Sequence, residues 1–238
     1  SLCILKFFPK IDFYFDARKE IIQNINKNFY KKLENKFNFF DFSYFKKAFL
    51  INSRSFDESC DLKSLSNKYI TFVDSNFTHL DRIVREGRVE KKIIFKYYKS
   101  INEVLDKLKQ MFKKQIIICA HPNSKISELK KYFLNYTITK FQTSKYIRES
   151  KIVLFHESSA ALDAIILNKN LVVLESQLLG DYISKRTLTY KNLLKLHSLN
   201  LDKNLNIDKK KFLNHISKSK KNNKVCLLYT SPSPRDGL

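Results

Sequence analysis

The chain has 238 residues, 43% of them hydrophobic, with only three glycines and four prolines. This length and composition provide for a packed core and exclude a wholly disordered or collagen-like chain. The formal charge of +22 comes mostly from Lys, whereas phosphate and base recognition favours Arg. The low share of Arg therefore argues against nucleic acid as the partner despite the charge, and it leaves peripheral contact with an anionic membrane as an expectation. No apolar run approaches the ~20 residues of a membrane-spanning helix.

The two ends of the sequence stand apart from the rest. The first residue is Ser1, and residues 226–238 lack the Lys, Asn and Ile bias of the chain and resemble a translated sequencing adapter. We therefore expect an internal piece of a longer protein, with 226–238 an artefact outside the fold. One of the four cysteines, Cys226, begins this last segment. The remaining three, Cys3, Cys60 and Cys119, are widely spaced. They predict neither a zinc site nor a disulfide framework, which is typical of a reducing, cytoplasmic compartment.

The first part of the chain differs in pattern from the middle. Residues 1–65 are rich in Phe, Lys and Asn, and we interpret them as the remnant of an N-terminal domain with its linker. Apolar spacing over 21–33 predicts one amphipathic helix, whereas 37–51 fits either a strand or a helix. Residues 201–225 are interpreted as a Lys-rich final helix or a fraying end.

Between residues 66 and 200, apolar runs alternate with helical patterns. The predicted strands are 69–74, 115–120, 151–155 and 171–175, and the predicted helices are 101–112, 126–133, 143–150, 160–167 and one around 193–196. Strands that are apolar throughout and alternate with helices indicate a parallel sheet covered on both faces. The sequence therefore predicts an α/β fold, a doubly wound, Rossmann-like parallel sheet over 66–200.

Polar residues follow each of the four predicted strands, at 74–76, 121–124, 156–159 and 175–177. Because the carboxyl ends of parallel strands share one edge of a sheet, we expect these clusters to meet at one ligand crevice. Every α/β domain leaves its strands through polar loops, so position alone also fits ordinary connections. Asp74 is the carboxylate of these clusters that we nominate as a general base.

The cluster 156–159 directly precedes the apolar helix 160–167. Ser158 or Ser159 is a suitable N-cap, and a helix N-terminus offers free N–H groups to a phosphate. The alternative is a plain serine-capped helix. The sequence contains neither G-x-G-x-x-G nor the P-loop pattern, so neither a dinucleotide fingerprint nor a P-loop is predicted.

A His-Pro pair follows the strand 115–120. Pro122 stiffens the turn, which would hold His121 at the sheet edge, where an imidazole can donate to a phosphate or act as acid or base. His156 at another strand end strengthens this interpretation, but the two histidines lack a nearby third ligand, so no metal is expected. The other histidines are expected at the surface: His79, His197 and His215.

These residues, in the order strand, His-Pro, helix, strand, Ser-Ser, buried helix, strand, resemble a known family. The order is similar to the C-terminal nucleotide-sugar-binding domain of GT-B-fold glycosyltransferases. It most resembles the bacterial capsule and lipopolysaccharide enzymes of the sialyltransferase, polysialyltransferase and Kdo-transferase type. The resemblance implies that His121 contacts the donor phosphate and assists its departure, while Ser158 and Ser159 bind that phosphate. It also makes substrate-binding candidates of their neighbours Pro122, Asn123, His156 and Glu157.

The segment 163–170 is similar to the GT-B pattern Glu-Ala-x-x-x-Gly-x-Pro, whose acidic residue often binds the donor ribose. Asp163 stands in the acidic position, and Asn168 and Asn170 stand where Gly and Pro are usual. A left-handed turn tolerates Asn, so the turn geometry is expected to survive.

The resemblance implies an enzyme that transfers a sugar from a nucleotide-activated donor to a cell-surface polysaccharide or a lipid-linked glycan. No cofactor and no metal are expected, and the location would be cytoplasmic, at the inner face of the membrane. The general base is expected from the N-terminal domain, so this piece alone is expected to be inactive. Two alternatives stay open: an enzyme similar to UDP-N-acetylglucosamine 2-epimerases, whose usual Asp-Ser-Gly-Gly loop is absent here, and a non-catalytic nucleotide-binding module.

Overall fold

The computed structural model describes the backbone of residues 11–16, 45–50, 67–77, 87, 89–203 and 206–230, and the side chains of 67–77, 87, 89–203 and 206–219. The chain divides into two compact units, Ser1–Asp57 with Leu227–Leu238, and Glu58–Cys226. In the first, β1 (Ile11–Asp16) pairs in parallel with β2 (Phe45–Leu50). The segment 37–51 therefore contains a strand, and the helix predicted over 21–33 lies outside the described residues.

Alternating strands and helices follow from residue 69 onward, and all of them except the last four residues of the final helix belong to the second unit. In chain order they are β3 (Tyr69–Val73), α1 (Lys91–Phe112), β4 (Gln115–Ala120), α2 (Ile126–Leu129), β5 (Thr137–Lys140), α3 (Thr143–Arg148), β6 (Ser150–Phe155), α4 (Ala160–Ile166), β7 (Asn170–Glu175), a 3₁₀ turn (Gln177–Leu179), α5 (Asp181–Leu193), β8 (His197–Asn200) and α6 (Lys209–Thr230).

The six strands of this unit form one sheet in the order β5-β4-β3-β6-β7-β8, and every neighbouring pair is parallel. Counted from β3 as the first strand, this order is 3-2-1-4-5-6, that of the Rossmann fold. The predicted fold class, a doubly wound α/β sheet, is confirmed. From β3 the chain adds strands toward one edge of the sheet, and from β6 it adds them toward the other edge, so the strand order reverses between these two neighbours.

Both faces of the sheet are buried. Alternate residues of the central strands, among them Phe72, Ile118 and Leu154, join one core cluster with the apolar stripe of α1. The residues between them, such as Ile117 and Val153, are 1% exposed, on the side where α3 and α4 contact the strands. Each fully buried aliphatic side chain of this kind stabilises the fold by ~1.5–3 kcal/mol.

The structure differs from the predicted elements in three places. Helix α1 begins ten residues earlier than predicted, because Ile94, Tyr97 and Tyr98 continue its buried stripe upstream. The strands β5 and β8 were not predicted, and both lie at edges of the sheet. The helix predicted around 193–196 is wrong in position, because α5 ends at Leu193 and the buried Leu194 and Leu196 lead into β8.

Two further segments differ in length from the predictions. Helix α2 is a single turn, Ile126–Leu129, where 126–133 was predicted. Helix α6 extends the predicted Lys-rich helix and continues through residue 230, five residues into the segment 226–238. Among the helices that the structure describes, none combines the length and the apolar character needed to cross a bilayer.

Candidate functional site

A cavity of about 690 Å³ lies at the carboxyl ends of the central strands. It is lined by the loops that follow β3, β4 and β6 and by residues of α5. Because β3 leads on to β4 on one side and β6 to β7 on the other, their loops diverge and leave a crevice at this point. The volume falls within the range of ~300–1,000 Å³ that is usual for small-molecule sites.

The structure brings three of the four predicted polar clusters together in this cavity. Ser75 Oγ lies 3.5 Å from the carbonyl oxygen of Glu157, which links the loops after β3 and β6. The site candidates that line the cavity are Asp74, His121, Pro122, Asn123, Glu157, Ser158 and Ser159. They come from three segments within residues 74–159, as expected for the edge of a parallel sheet.

The fourth cluster, 175–177, does not line the cavity. The carboxylate of Glu175 accepts a hydrogen bond from Lys191 Nζ at 2.8 Å, and Ser176 Oγ donates to Asp202 Oδ1 at 2.7 Å. These residues follow β7, one strand beyond the β3–β6 crevice. The expectation that all four clusters meet is therefore corrected to three.

Asp74 forms the floor of the cavity and is 2% exposed. Its amide donates to the carbonyl of Cys119 at 2.9 Å, which fixes it beside the end of β4. Its Oδ2 accepts from the amide of Asn76 at 3.1 Å, while its Oδ1 has no partner among the described residues. Burial raises the pKa of the Asp74 carboxyl to about 6, against the lowering effects of the Asn76 amide and the Tyr98 hydroxyl.

His121 sits in a tight turn directly after β4. The amide of Ser124 donates to the carbonyl of His121 at 2.9 Å, with Pro122 at the second position, where the fixed φ of proline suits a turn. The amide of Asn123 donates to His121 Nδ1 at 3.2 Å. In the neutral ring this places the proton on Nε2, so the imidazole offers an N–H donor from its far side.

Ser158 and Ser159 precede α4 at the edge of the cavity. Ser158 Oγ accepts from the amide of Ala160, the first residue of α4, at 3.2 Å and keeps its hydroxyl proton to donate, while the N-cap position itself belongs to Ser159. Ser159 makes no side-chain cap hydrogen bond. Helix α4 has only seven residues, so the hydroxyl groups are the more substantial donors here.

Arg186 of α5 lines the cavity and was not predicted. Its Nε forms an ion pair with Glu157, and its Nη1 donates to the hydroxyl of Tyr182 at 2.9 Å. The Tyr182 hydroxyl, and then the charge of Glu157, raise the pKa of Arg186, so it stays cationic. The sequence feature that could have indicated Arg186 is an arginine four residues after a tyrosine, in a chain whose cations are mostly Lys.

His156 does not reach the cavity, which corrects its assignment as a substrate-binding residue. It is fully buried, with Nδ1 2.5 Å from the carbonyl of Leu174 and Nε2 2.7 Å from the hydroxyl of Tyr97. A carbonyl only accepts, so Nδ1 carries the proton and Tyr97 donates to Nε2. Burial lowers the pKa of His156 to about 4, so the ring is neutral at pH 7. Its position continues the phase of Ile152 and Leu154, whose side chains face α1.

Asp163 also lies outside the cavity lining, contrary to the ribose-binding role that the resemblance implied. It is 6% exposed, and its Oδ2 accepts from Ser144 Oγ of α3 at 2.9 Å. The side chain is therefore turned toward the neighbouring helix. The turn that follows keeps the expected geometry, because Asn168 is left-handed with φ of 53°.

Two further expectations concern cysteine and histidine. Cys119 is buried, as predicted, and burial raises the pKa of its thiol to about 12. His197 is not a plain surface residue, since its ring packs 5.4 Å from Phe212 and 4.9 Å from His215. Within 67–77, 87, 89–203 and 206–219, no three His, Cys, Asp or Glu residues are grouped so as to hold a metal ion.

No protein-family description and no curated protein matches the sequence. The calicheamicin glycosyltransferase CalG4 is 9% identical with a TM-score of 0.39, over 82% of this chain and 46% of that one. The glycotransferase of kitacinnamycin is 9% identical with a TM-score of 0.40, over 94% of this chain and 68% of that one. The chain thus spans less than half of CalG4, and likeness at this level identifies no function.

Proposed function

We propose that this chain is the nucleotide-sugar-binding part of a GT-B-like glycosyltransferase and that its cavity holds the donor phosphate. The main support is that one cavity, at the β3–β6 crevice, is lined by His121, Ser158, Ser159 and Asp74. In sheets of this order, nucleotides bind at that crevice. The sequence resemblance described above supports the same donor class.

The hydrogen-bond donors of the cavity suit a departing phosphate. His121 would donate from Nε2, and the two serine hydroxyls would donate from the opposite loop. As the bond between the sugar and the phosphate breaks, negative charge grows on the phosphate oxygens, and donors already in position stabilise it. No metal enters this scheme, because the hydrogen-bond donors and the cation of Arg186 carry that role.

Asp74 is the candidate general base among the described residues. Its pKa of about 6 leaves it mostly ionised at pH 7, and the residue belongs to the cavity lining. It would take the proton of an acceptor hydroxyl as that oxygen bonds to the sugar and the nucleotide leaves with the electron pair of the broken bond. The expected activity falls as the pH drops below about 6.

The acceptor in this proposal is a cell-surface polysaccharide or a lipid-linked glycan. The support for a membrane-associated acceptor is the Lys-rich charge of +22, which favours contact with anionic headgroups. The chain would then work at the cytoplasmic face of the membrane, beside its lipid-linked acceptor.

The proposal is tested by nucleotide-sugar binding to the full chain. UDP-, CMP- and GDP-sugars are screened for a rise in Tm, and each hit is followed by NMR for transfer, hydrolysis or epimerisation of the sugar. A ligand at 100 times its Kd stabilises the folded state by ~2.7 kcal/mol, which is readily seen in Tm.

The variant His121→Ala gives the residue-level test. Losing one hydrogen bond to a charged phosphate is expected to weaken donor binding ~10- to 100-fold. The control is His215→Ala, which removes an exposed histidine outside the cavity and is expected to leave binding unchanged. If no nucleotide sugar raises Tm, or if both variants bind the donor as well as the wild type, the proposal is contradicted. Epimerisation of a UDP-sugar without transfer would favour the epimerase alternative.

A further inference from the structure

Arg186 is an arginine in a protein whose cationic side chains are mostly lysines. Among the residues whose side chains the structure describes, Arg148 and Arg186 are the two arginines, whereas lysines are abundant. No described lysine lines the cavity, and Arg186 does. A guanidinium differs from an ammonium in presenting a planar fork that bonds two oxygens of one anion.

The fork of Arg186 is held in place from two sides. Glu157 pairs with Nε, and the hydroxyl of Tyr182 accepts from Nη1, while the guanidinium carbon lies 5.5 Å from the centre of the Tyr182 ring. Nε and one Nη1–H are thereby used. The described residues give Nη2 no acceptor, and the Arg186 side chain is 49% exposed. An oriented fork with donors to spare, in the lining of a cavity, suits an incoming oxyanion.

The guanidinium of Arg186 lies near the two serines to which the proposed function assigns the donor phosphate. Glu157, which holds Nε, directly precedes Ser158 in the chain, and consecutive Cα atoms lie about 3.8 Å apart. Arg186, Ser158 and Ser159 all line the cavity, so an anionic group at Arg186 would lie in the same cavity as one held by the two serines. Two neighbouring anionic groups occur in a nucleoside diphosphate and also in a nucleoside monophosphate linked to a carboxylated sugar.

We propose that Arg186 forms a second oxyanion subsite, which binds an anionic group of the donor adjacent to the phosphate at Ser158. Glu157 and Tyr182 act as positioning residues that orient the fork. The inference rests on the proposed function for the identity of the first phosphate. The shared chemistry is a trigonal or tetrahedral oxyanion with two oxygens to bond, supplied by a second phosphate or by a carboxylate.

The test compares ligands that carry one anionic group with ligands that carry two, measured by calorimetry on the full chain; the carboxylated ligand also carries its sugar. The pairs are UMP with UDP, CMP with CDP, and CMP with CMP-N-acetylneuraminate, and inorganic pyrophosphate is a probe without a base. The variants are Arg186→Gln, Arg186→Lys and the control Lys185→Gln, which removes an exposed cation from the same helix outside the cavity. Thermal unfolding of each variant verifies that it folds.

We expect Arg186→Gln to weaken the ligand with two anionic groups ~10- to 100-fold and to leave its partner with one unchanged. Arg186→Lys keeps the charge without the fork and should fall between Gln and the wild type. Loss confined to the diphosphates identifies a second phosphate, and loss confined to CMP-N-acetylneuraminate identifies a carboxylate. The Lys185→Gln control should bind as the wild type does.

The results separate this inference from the proposed function. If nucleotides bind but Arg186→Gln weakens both members of every pair equally, or neither, the second subsite is overturned while nucleotide binding stands. If the wild type binds pyrophosphate through Arg186 but no nucleotide, the proposed function fails, and Arg186 remains an oxyanion site whose assignment to a nucleotide donor is overturned. If neither pyrophosphate nor any nucleotide binds, both are overturned.

Discussion

Replacing Asp74 by asparagine tests whether the buried Asp74 carboxylate destabilises the folded protein. The substitution keeps the shape of the side chain and an oxygen that can accept from the amide of Asn76. It removes a charge from a group that is 2% exposed and has one oxygen without a described partner. We therefore expect Asp74→Asn to stabilise the folded protein at pH 7.

The magnitude follows from the pKa of the carboxyl. Burial raises the pKa of Asp74 from 3.8 to about 6, and at 1.36 kcal/mol per pH unit ionisation in the folded state costs about 3 kcal/mol. The penalty is absent below the unfolded pKa, because both states are then protonated. It grows as the pH rises from about 4 to 6 and is complete above the folded pKa.

His156 titrates in the same range with the opposite sign. Burial lowers the pKa of His156 from 6.5 to about 4, so its folded form resists protonation. The unfolded chain gains protons as the pH falls from about 6.5 to 4, and the folded state loses about 3 kcal/mol of stability relative to it. In the wild type the two effects nearly cancel. Asp74→Asn removes the effect of Asp74, so the pH dependence that His156 causes remains.

The assay is urea unfolding followed by circular dichroism at several pH values between 4 and 7.5. The free energy of unfolding of Asp74→Asn minus that of the wild type should grow by about 3 kcal/mol between pH 4 and 7. The control Glu103→Gln removes one exposed carboxylate from α1 and accounts for the change in net charge. A difference that stays constant with pH, or a variant less stable than the wild type at pH 7, would refute the reasoning.

Two other substitutions have expected outcomes. Ser144→Ala removes the hydroxyl that donates to the buried Asp163, and we expect a loss of ~1–3 kcal/mol in the free energy of unfolding without a change in nucleotide affinity. An unchanged midpoint in urea, or a weakened nucleotide, would contradict this placement of Asp163. Asn168→Gly should raise Tm slightly or leave it unchanged, because φ of 53° suits glycine, whereas Asn168→Ala should lower it. Equal Tm values for Gly and Ala would contradict the left-handed assignment.

The central strands could be predicted from the sequence because their apolar runs are continuous and end in polar residues. The run 115–120 coincides with β4, and its burial on both faces explains the lack of alternation. The edge strands β5 and β8 were missed. Each has four residues, Thr-Ile-Thr-Lys and His-Ser-Leu-Asn, and polar side chains dominate because an edge strand is less covered. Such segments carry no apolar run to detect.

The candidate site was predictable where it depends on the ends of strands and not where it depends on the direction of a side chain. His121, Ser158 and Ser159 were found because they follow buried strands. His156 was misplaced because it immediately follows β6 and keeps the period-2 phase of the face toward α1. Arg186 was missed because it lies 28 residues beyond Ser158, on a helix whose packing the sequence pattern does not show.

Helix α1 carries two consecutive tyrosines whose hydroxyl groups serve different loops. The hydroxyl of Tyr97 bonds His156 at the end of β6, and that of Tyr98 interacts with Asp74 at the end of β3. The residues that follow β3 and β6, on the two sides of the crevice, are thereby bonded to the same helix, α1. The rim residues, such as Ser159 and Arg186, take no part in these ties. Substitutions at Ser159 or Arg186 are therefore expected to alter which ligand is bound while both interactions with α1 stay in place.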